Sequence, residues 1–115
     1  MSESIKVVYL PVNDSPQVRE IPNTLETLQK AVDGYIEAVT LKLGHHNYTI
    51  LVNEEGRLKG LSPNLYHKTG VLVGNALFTK SNSYGDFVSL DDDDVHLVKE
   101  WIKLSRLAIG QGGFW

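Results

Sequence analysis

The sequence predicts an α+β fold, with a mixed, mostly antiparallel sheet and two amphipathic helices packed on one of its faces. Three observations predict it. Short β-branched apolar runs crowd the centre of the chain, only two stretches carry helical periodicity, and the connections between them are short. With 115 residues, 42% hydrophobic and 22% charged, the chain is sized and composed for one globular domain over residues 1–109, followed by a Gly-rich aromatic tail over residues 110–115.

The apolar run Ile5-Lys-Val-Val-Tyr-Leu stops at Pro11, and Asn13-Asp-Ser-Pro16 supplies turn chemistry before Val18-Arg-Glu-Ile21, which predicts an opening hairpin. Leu25, Leu28, Ala31 and Val32 then recur at helical spacing. Asn23 is the expected N-cap, Glu26 the far side of a capping box, and Gly34 the residue just past the end. Residues 35–41 and 48–52 read as two strands joined by a Gly44-His-His-Asn47 loop. After a tight turn at Asn53-Glu-Glu-Gly56, Ser62-Pro63 resembles an N-cap with proline at the first helical position, so a short helical turn is expected as far as His67. Val71-Leu-Val and Ala76-Leu-Phe-Thr are strand-like, with Gly74-Asn75 marking a bulge or kink between them. A turn at Asn82-Ser-Tyr-Gly85 precedes Phe87-Val-Ser89. Val95, Val98, Trp101, Ile102, Ser105 and Ile109 recur at the spacing of one helical face, which predicts a final helix from Leu90 or Asp91 to Ala108.

Four ordered segments are more specific than this periodicity. Residues 25–39 (Leu-Glu-Thr-Leu-Gln-Lys-Ala-Val-Asp-Gly-Tyr-Ile-Glu-Ala-Val), 53–64 (Asn-Glu-Glu-Gly-Arg-Leu-Lys-Gly-Leu-Ser-Pro-Asn), 74–78 (Gly-Asn-Ala-Leu-Phe) and 85–92 (Gly-Asp-Phe-Val-Ser-Leu-Asp-Asp) together resemble a domain-of-unknown-function family, number 3846, over roughly residues 5–105. The resemblance implies the fold and a setting in bacteriophages and mobile elements of Gram-positive bacteria. It implies no chemistry, and the His45-His46 loop and the terminal Gln-Gly-Gly-Phe-Trp lie outside its pattern.

Composition narrows the function classes. The absence of cysteine removes disulfides, thiol catalysis and thiolate metal sites, and a formal net charge of −3 gives no general attraction for nucleic acid or anionic membrane. No leader-like stretch or long apolar run is present, so a cytoplasmic protein is expected. Asp91 to Asp94 invites a calcium reading, but a loop starting at Asp91 needs glycine sixth and glutamate twelfth, where His96 and Ile102 stand. The run reads as helix-start capping, with no metal and no cofactor expected. The four histidines, His45, His46, His67 and His96, read as exposed loop and surface residues. No nucleophile elbow, phosphate-binding glycine loop or dinucleotide fingerprint occurs, and no catalytic residue is assigned.

A ligand site is expected in the polar central stretch, with Asn53, Arg57, Lys59, Asn64, Tyr66, His67, Lys68 and Asn75 as candidates. Cations and amides there suit a phosphate-bearing ligand, and the tyrosine suits stacking. Tyr35 and Glu37, which share a strand face, and Phe114 and Trp115 form the candidate interaction surface. The expected function is a non-enzymatic accessory protein that binds a host protein or sequesters a small, nucleotide-type ligand. The alternative is a small enzyme acting on a phosphate-bearing ligand. Residues 71–79 and 35–40 carry little charge to resist edge pairing, so a homodimer is expected.

Overall fold

The computed structural model describes residues 3–68 and 70–110, with side chains as far as residue 107. Its elements are β1 (Ser4–Leu10), β2 (Gln17–Pro22), α1 (Leu25–Val32), β3 (Ile36–Leu43), β4 (His46–Asn53), β5 (Pro63–His67), β6 (Gly70–Val73), β7 (Ala76–Ser81), β8 (Phe87–Val88) and α2 (Asp92–Gly110). The main sheet runs β2-β1-β7-β4-β3, β8 adds to the end of β7, and β5 and β6 form a separate hairpin. Every strand pair is antiparallel, and the α+β class stands.

The helices, however, lie on opposite faces of the sheet rather than on one. Val8, Leu10, Ile50, Val52 and Phe78 pack with Val98 and Ile102 of α2 and with Leu65 and Leu72 of the β5–β6 hairpin. Their strand neighbours Val7, Leu51 and Leu77 pack with Leu28 of α1. Side chains alternate across a strand, so consecutive buried apolar residues such as Ile50-Leu51-Val52 and Ala76-Leu77-Phe78 must be covered on both sides.

Local chemistry departs from expectation at several joints. Thr24, not Asn23, caps α1: its backbone is extended and its hydroxyl accepts from the Thr27 N–H. Asn23 instead donates to the Phe87 carbonyl at 3.2 Å. Asp33, with φ of 60°, takes the left-handed position that ends the helix. Gly34 is needed for space, since a Cβ there would stand 2.7 Å from Asn53 Nδ2. The β3–β4 turn is shorter than expected, two residues rather than four. Gly44 supplies the positive φ of a tight hairpin turn, and His46 and Asn47 already pair in β4.

The segment expected as a helical turn is strand β5. Five residues cannot carry a helix without packing, and here packing favours an extended chain. Besides pairing with β6, the strand meets α2 through Ser105, whose hydroxyl accepts from Tyr66 N–H at 2.8 Å and donates to Tyr66 C=O at 2.7 Å. One serine thus stands where a neighbouring strand would. Residues 71–79 are likewise not one kinked strand. Gly74, with φ of +79°, separates β6 of the hairpin from β7 of the main sheet. Because β7 lies between β1 and β4, only β6 within that stretch retains an unpaired side, whereas β3 is a true sheet edge. Among the described residues no helix is long and apolar enough to cross a membrane.

Candidate functional site

The ligand candidates of the sequence analysis divide into three groups. Three asparagines are consumed by the fold. Asn53, buried, donates from Nδ2 to the Val32 and Asp33 carbonyls, both at 3.0 Å, and accepts the Glu55 N–H at 2.8 Å, so it ties the end of α1 to β4. Asn64, also buried, donates to Leu10 O at 3.0 Å and Gly74 O at 2.8 Å while accepting from Arg106 at 2.5 Å. Asn75 accepts the Val12 N–H at 3.0 Å. Asn53 and Asn64, with donors and acceptor both engaged, have little left for a ligand, and Asn75 has its acceptor engaged.

The second group lies in a cleft of about 380 Å³ between the β3–β4 end, the turn after β4, and β6. Arg57 reaches across it and donates to Val71 O at 2.9 Å, and Glu37 lines it from β3, in register with Val52. Lys59 is outside, exposed, 3.8 Å from Glu55. The cleft therefore joins Arg57, a ligand candidate, to Glu37, a surface candidate. Tyr35 is 66% exposed at the same end of β3, where its carbonyl accepts the Glu54 N–H. Phe114 and Trp115 lie outside the described residues.

The third group lines a groove of about 410 Å³ between β5, the far end of β3, and α2: Tyr66, His67, Lys68, Lys42, Trp101 and Leu104. The helical stripe that positions Trp101 leaves its indole half-buried, set edge-on against Phe78 at 6.0 Å and His67 at 6.4 Å. His67 is buried rather than exposed, with Nε2 donating to Thr40 O at 3.1 Å. Its place in the inward alternation of β5 explains the difference, because a buried imidazole needs such a partner. Tyr66 points the other way and is 40% exposed.

Two polar clusters gather on α2; the aspartate run does cap the helix start, as its sequence suggests, but the buried partners in both clusters escaped the sequence reading. At the start of the helix, Asp91 caps it in a reciprocal box: Asp91 Oδ1 accepts Asp94 N–H at 2.8 Å, and Asp94 Oδ2 accepts Asp91 N–H at 2.9 Å. The buried Asp94 also accepts the Tyr48 hydroxyl at 2.7 Å and the Lys80 ammonium at 2.6 Å. Burial alone would raise the Asp94 pKa, but the hydrogen bonds from Lys80, Asp91 and Tyr48 outweigh it and hold the carboxyl at about 2. Burial and the adjacent carboxylate push the Tyr48 phenol above its ordinary value. The signal for this cluster was Tyr48 itself, whose parity with Ile50 and Val52 places a phenol inside, where it must find a partner. With both its oxygens engaged, Asp94 is a structural anion, and among the described residues no three metal-ligating side chains gather.

At the other end, Arg106 donates to Pro11 O at 2.7 Å, to Asn64 and to the Asp14 carbonyl. Burial lowers its pKa, and Asp14 opposes the shift. Beside it, an open groove of about 630 Å³ separates α2 from the β1–β2 loop, with Lys99, Lys103, Asp14 and Glu100 on its walls.

The family model described as Domain of unknown function (DUF3846) matches residues 5–103. No curated protein and no solved structure matches the chain.

Proposed function

The chain belongs to the DUF3846 family, and on that premise we propose that it is a non-enzymatic binding protein that holds a small nucleotide-type ligand in the groove between β5 and α2. The observation that carries the reading is the convergence of two accessible aromatic side chains, Tyr66 and Trp101, with two lysines, Lys42 and Lys68, on one concavity. A planar base gains about 1–3 kcal/mol by stacking on an aromatic face, and ammonium groups pair with phosphate as point charges. The volume falls within the range of small-molecule sites. In the bacterial cytoplasm of a phage-infected or element-bearing cell, such a protein would act by sequestration.

The test is titration with adenosine and guanosine mono- and diphosphates, read by tryptophan fluorescence and by chemical shifts of the Trp101 indole. Saturable shifts are expected, and Lys42→Glu with Lys68→Glu should weaken binding at least roughly tenfold, about 1.4 kcal/mol. Nucleotides that leave the Trp101 signals unmoved at millimolar concentration would sink the reading.

A second reading, docking of a host protein, is favoured by Leu104 and Leu107, which are 66% and 52% exposed on α2, Leu104 on the wall of that groove and Leu107 on the wall of the groove beside Arg106. A stoichiometric host protein retained on the wild type and lost from Leu104→Glu would favour it. The homodimer belongs to the proposal as well. Each outer strand of the main sheet, β2 and β3, has one unpaired side, which a second copy would cover. Light scattering that gives a concentration-independent monomer mass removes it.

A further inference from the structure

The cleft at the opposite end of β3 has a different chemistry, and its argument does not depend on the nucleotide groove. Its floor is aliphatic, formed by Val39, Val52, Val71 and Val73. Its rim carries Glu37, Glu54 and Arg57, none of which stands in an ion pair among the described residues. The guanidinium is held in place: Nη2 donates to Val71 O, and Gly70 lets it approach, since a Cβ there would sit 3.3 Å from Nη2. Glu37 is directed to the same face as Val52 by the β3–β4 register.

Two carboxylates disfavour a bare anion in this cleft, and a guanidinium disfavours a bare cation. A ligand that meets both carries a carboxylate and an ammonium close together, with an apolar group for the valines. We propose that the cleft binds a free α-amino acid with an aliphatic side chain. Arg57 receives the carboxylate in the planar geometry a guanidinium offers, Glu37 and Glu54 receive the ammonium, and the side chain lies on the valine floor. The cavity, about 380 Å³, is of small-molecule size and holds such a ligand without rearrangement.

The experiment is calorimetric or saturation-transfer titration of the full chain with leucine, N-acetyl-leucine and leucinamide. Leucine is expected to bind, and each blocked form to bind at least roughly tenfold more weakly. Glu37→Gln should weaken leucine to the level of N-acetyl-leucine without changing the latter, and Arg57→Gln should do the same relative to leucinamide. Because Arg57→Gln also removes a bond to β6, Glu37→Gln, at an exposed position, carries the test if the arginine variant loses its melting transition. The pair Lys42→Glu, Lys68→Glu should leave leucine binding unchanged, so failure here and failure at the nucleotide groove are separate results. No heat or transfer with leucine up to about 10 mM, an affinity too weak to count as a site, overturns the proposal. Equal binding of leucine and N-acetyl-leucine also overturns it, and points to recognition of a peptide C-terminus instead.

Discussion

The two ends of α2 solve one problem in opposite ways. Each draws a charged side chain in from solvent, Asp94 buried and Arg106 half-buried. At the first turn Asp94 meets a countercharge, Lys80, together with a phenol and a backbone N–H. Near the last turns Arg106 meets no carboxylate within ion-pair distance among the described residues, and its charge is spread over the Pro11 and Asp14 carbonyls and the Asn64 amide. An ion pair offsets the cost of taking charge out of water through a partner that can itself be titrated or deleted. Carbonyl and amide dipoles do so with no partner that titrates. The first end should therefore respond strongly to mutation and pH, and the second should respond to mutation only.

The largest effect expected is at Asp94→Ala, which leaves the Lys80 ammonium and the Tyr48 hydroxyl facing a void without their anion. A loss of about 3–5 kcal/mol in urea unfolding is expected, a large part of the stability of a domain this size. A change below about 1 kcal/mol would mean that water replaces the carboxylate at little cost, and the contrast between the ends would fail.

The acid limb follows. With the carboxyl held near 2 in the folded chain against an ordinary 3.8, the stabilisation is fully present above the ordinary value and drains away as pH falls from about 5 through 2. It amounts to about 2–3 kcal/mol. The phenol at the same end acts oppositely: its pKa is raised on folding, so stability is intact below pH about 10 and declines as the unfolded chain ionises above it. Unfolding free energies across pH should show both limbs, with Asp94→Asn flattening the acid limb and Tyr48→Phe the alkaline one.

At the second end, Asn64→Ala strands the Leu10 and Gly74 carbonyls and one guanidinium donor, at about 2 kcal/mol. The loss should depend little on pH, because the contacts removed are made by two carbonyls and a guanidinium, none of which titrates between pH 4 and pH 9. A pH-dependent loss would show that the two ends are coupled. The smallest effect is at Asp93, exposed on the first turn. Asp93→Asn should remove only a favourable interaction with the helix terminus, about 0.3–0.5 kcal/mol and sensitive to salt. It gauges how much of the aspartate run is surface electrostatics rather than buried pairing.

Much of the fold was legible where one element's pattern decides its state. The opening hairpin, both long helices and the β3–β4 pair follow from alternation, period and turn residues. What escaped was decided by contacts between distant segments. Ser62-Pro63 is a fair helix start taken alone, yet β6 and Ser105 together hold the next five residues extended. The placement of α1 and α2 on different faces was available in the uninterrupted apolar runs of β4 and β7, which cannot belong to a half-solvated sheet. The candidate site was legible as a region but not as one pocket. Polar residues chosen for chemistry include asparagines that the backbone needs for its own carbonyls, and sequence gives no sign of which amides are already occupied. Trp101, on the same helical face as Val98 and Ile102, packs against the core yet is only half-buried and also forms a wall of the groove.

The position of β7 carries a consequence for how the chain reaches this structure. Its partners are β1, at the opposite end of the sequence, and β4. The β1–β2 and β3–β4 pairs each close through a short loop and can zip locally, but neither touches the other in the sheet. Only when β7 enters between them does one surface exist for α2 to cover, and that step joins residues 8 and 78 and carries most of the loop-closure entropy. Assembly of the domain is thus a matter of two early hairpins waiting for a late central strand. Until it arrives, β1 and β4 each present an apolar, unpaired flank to any other chain in the same condition.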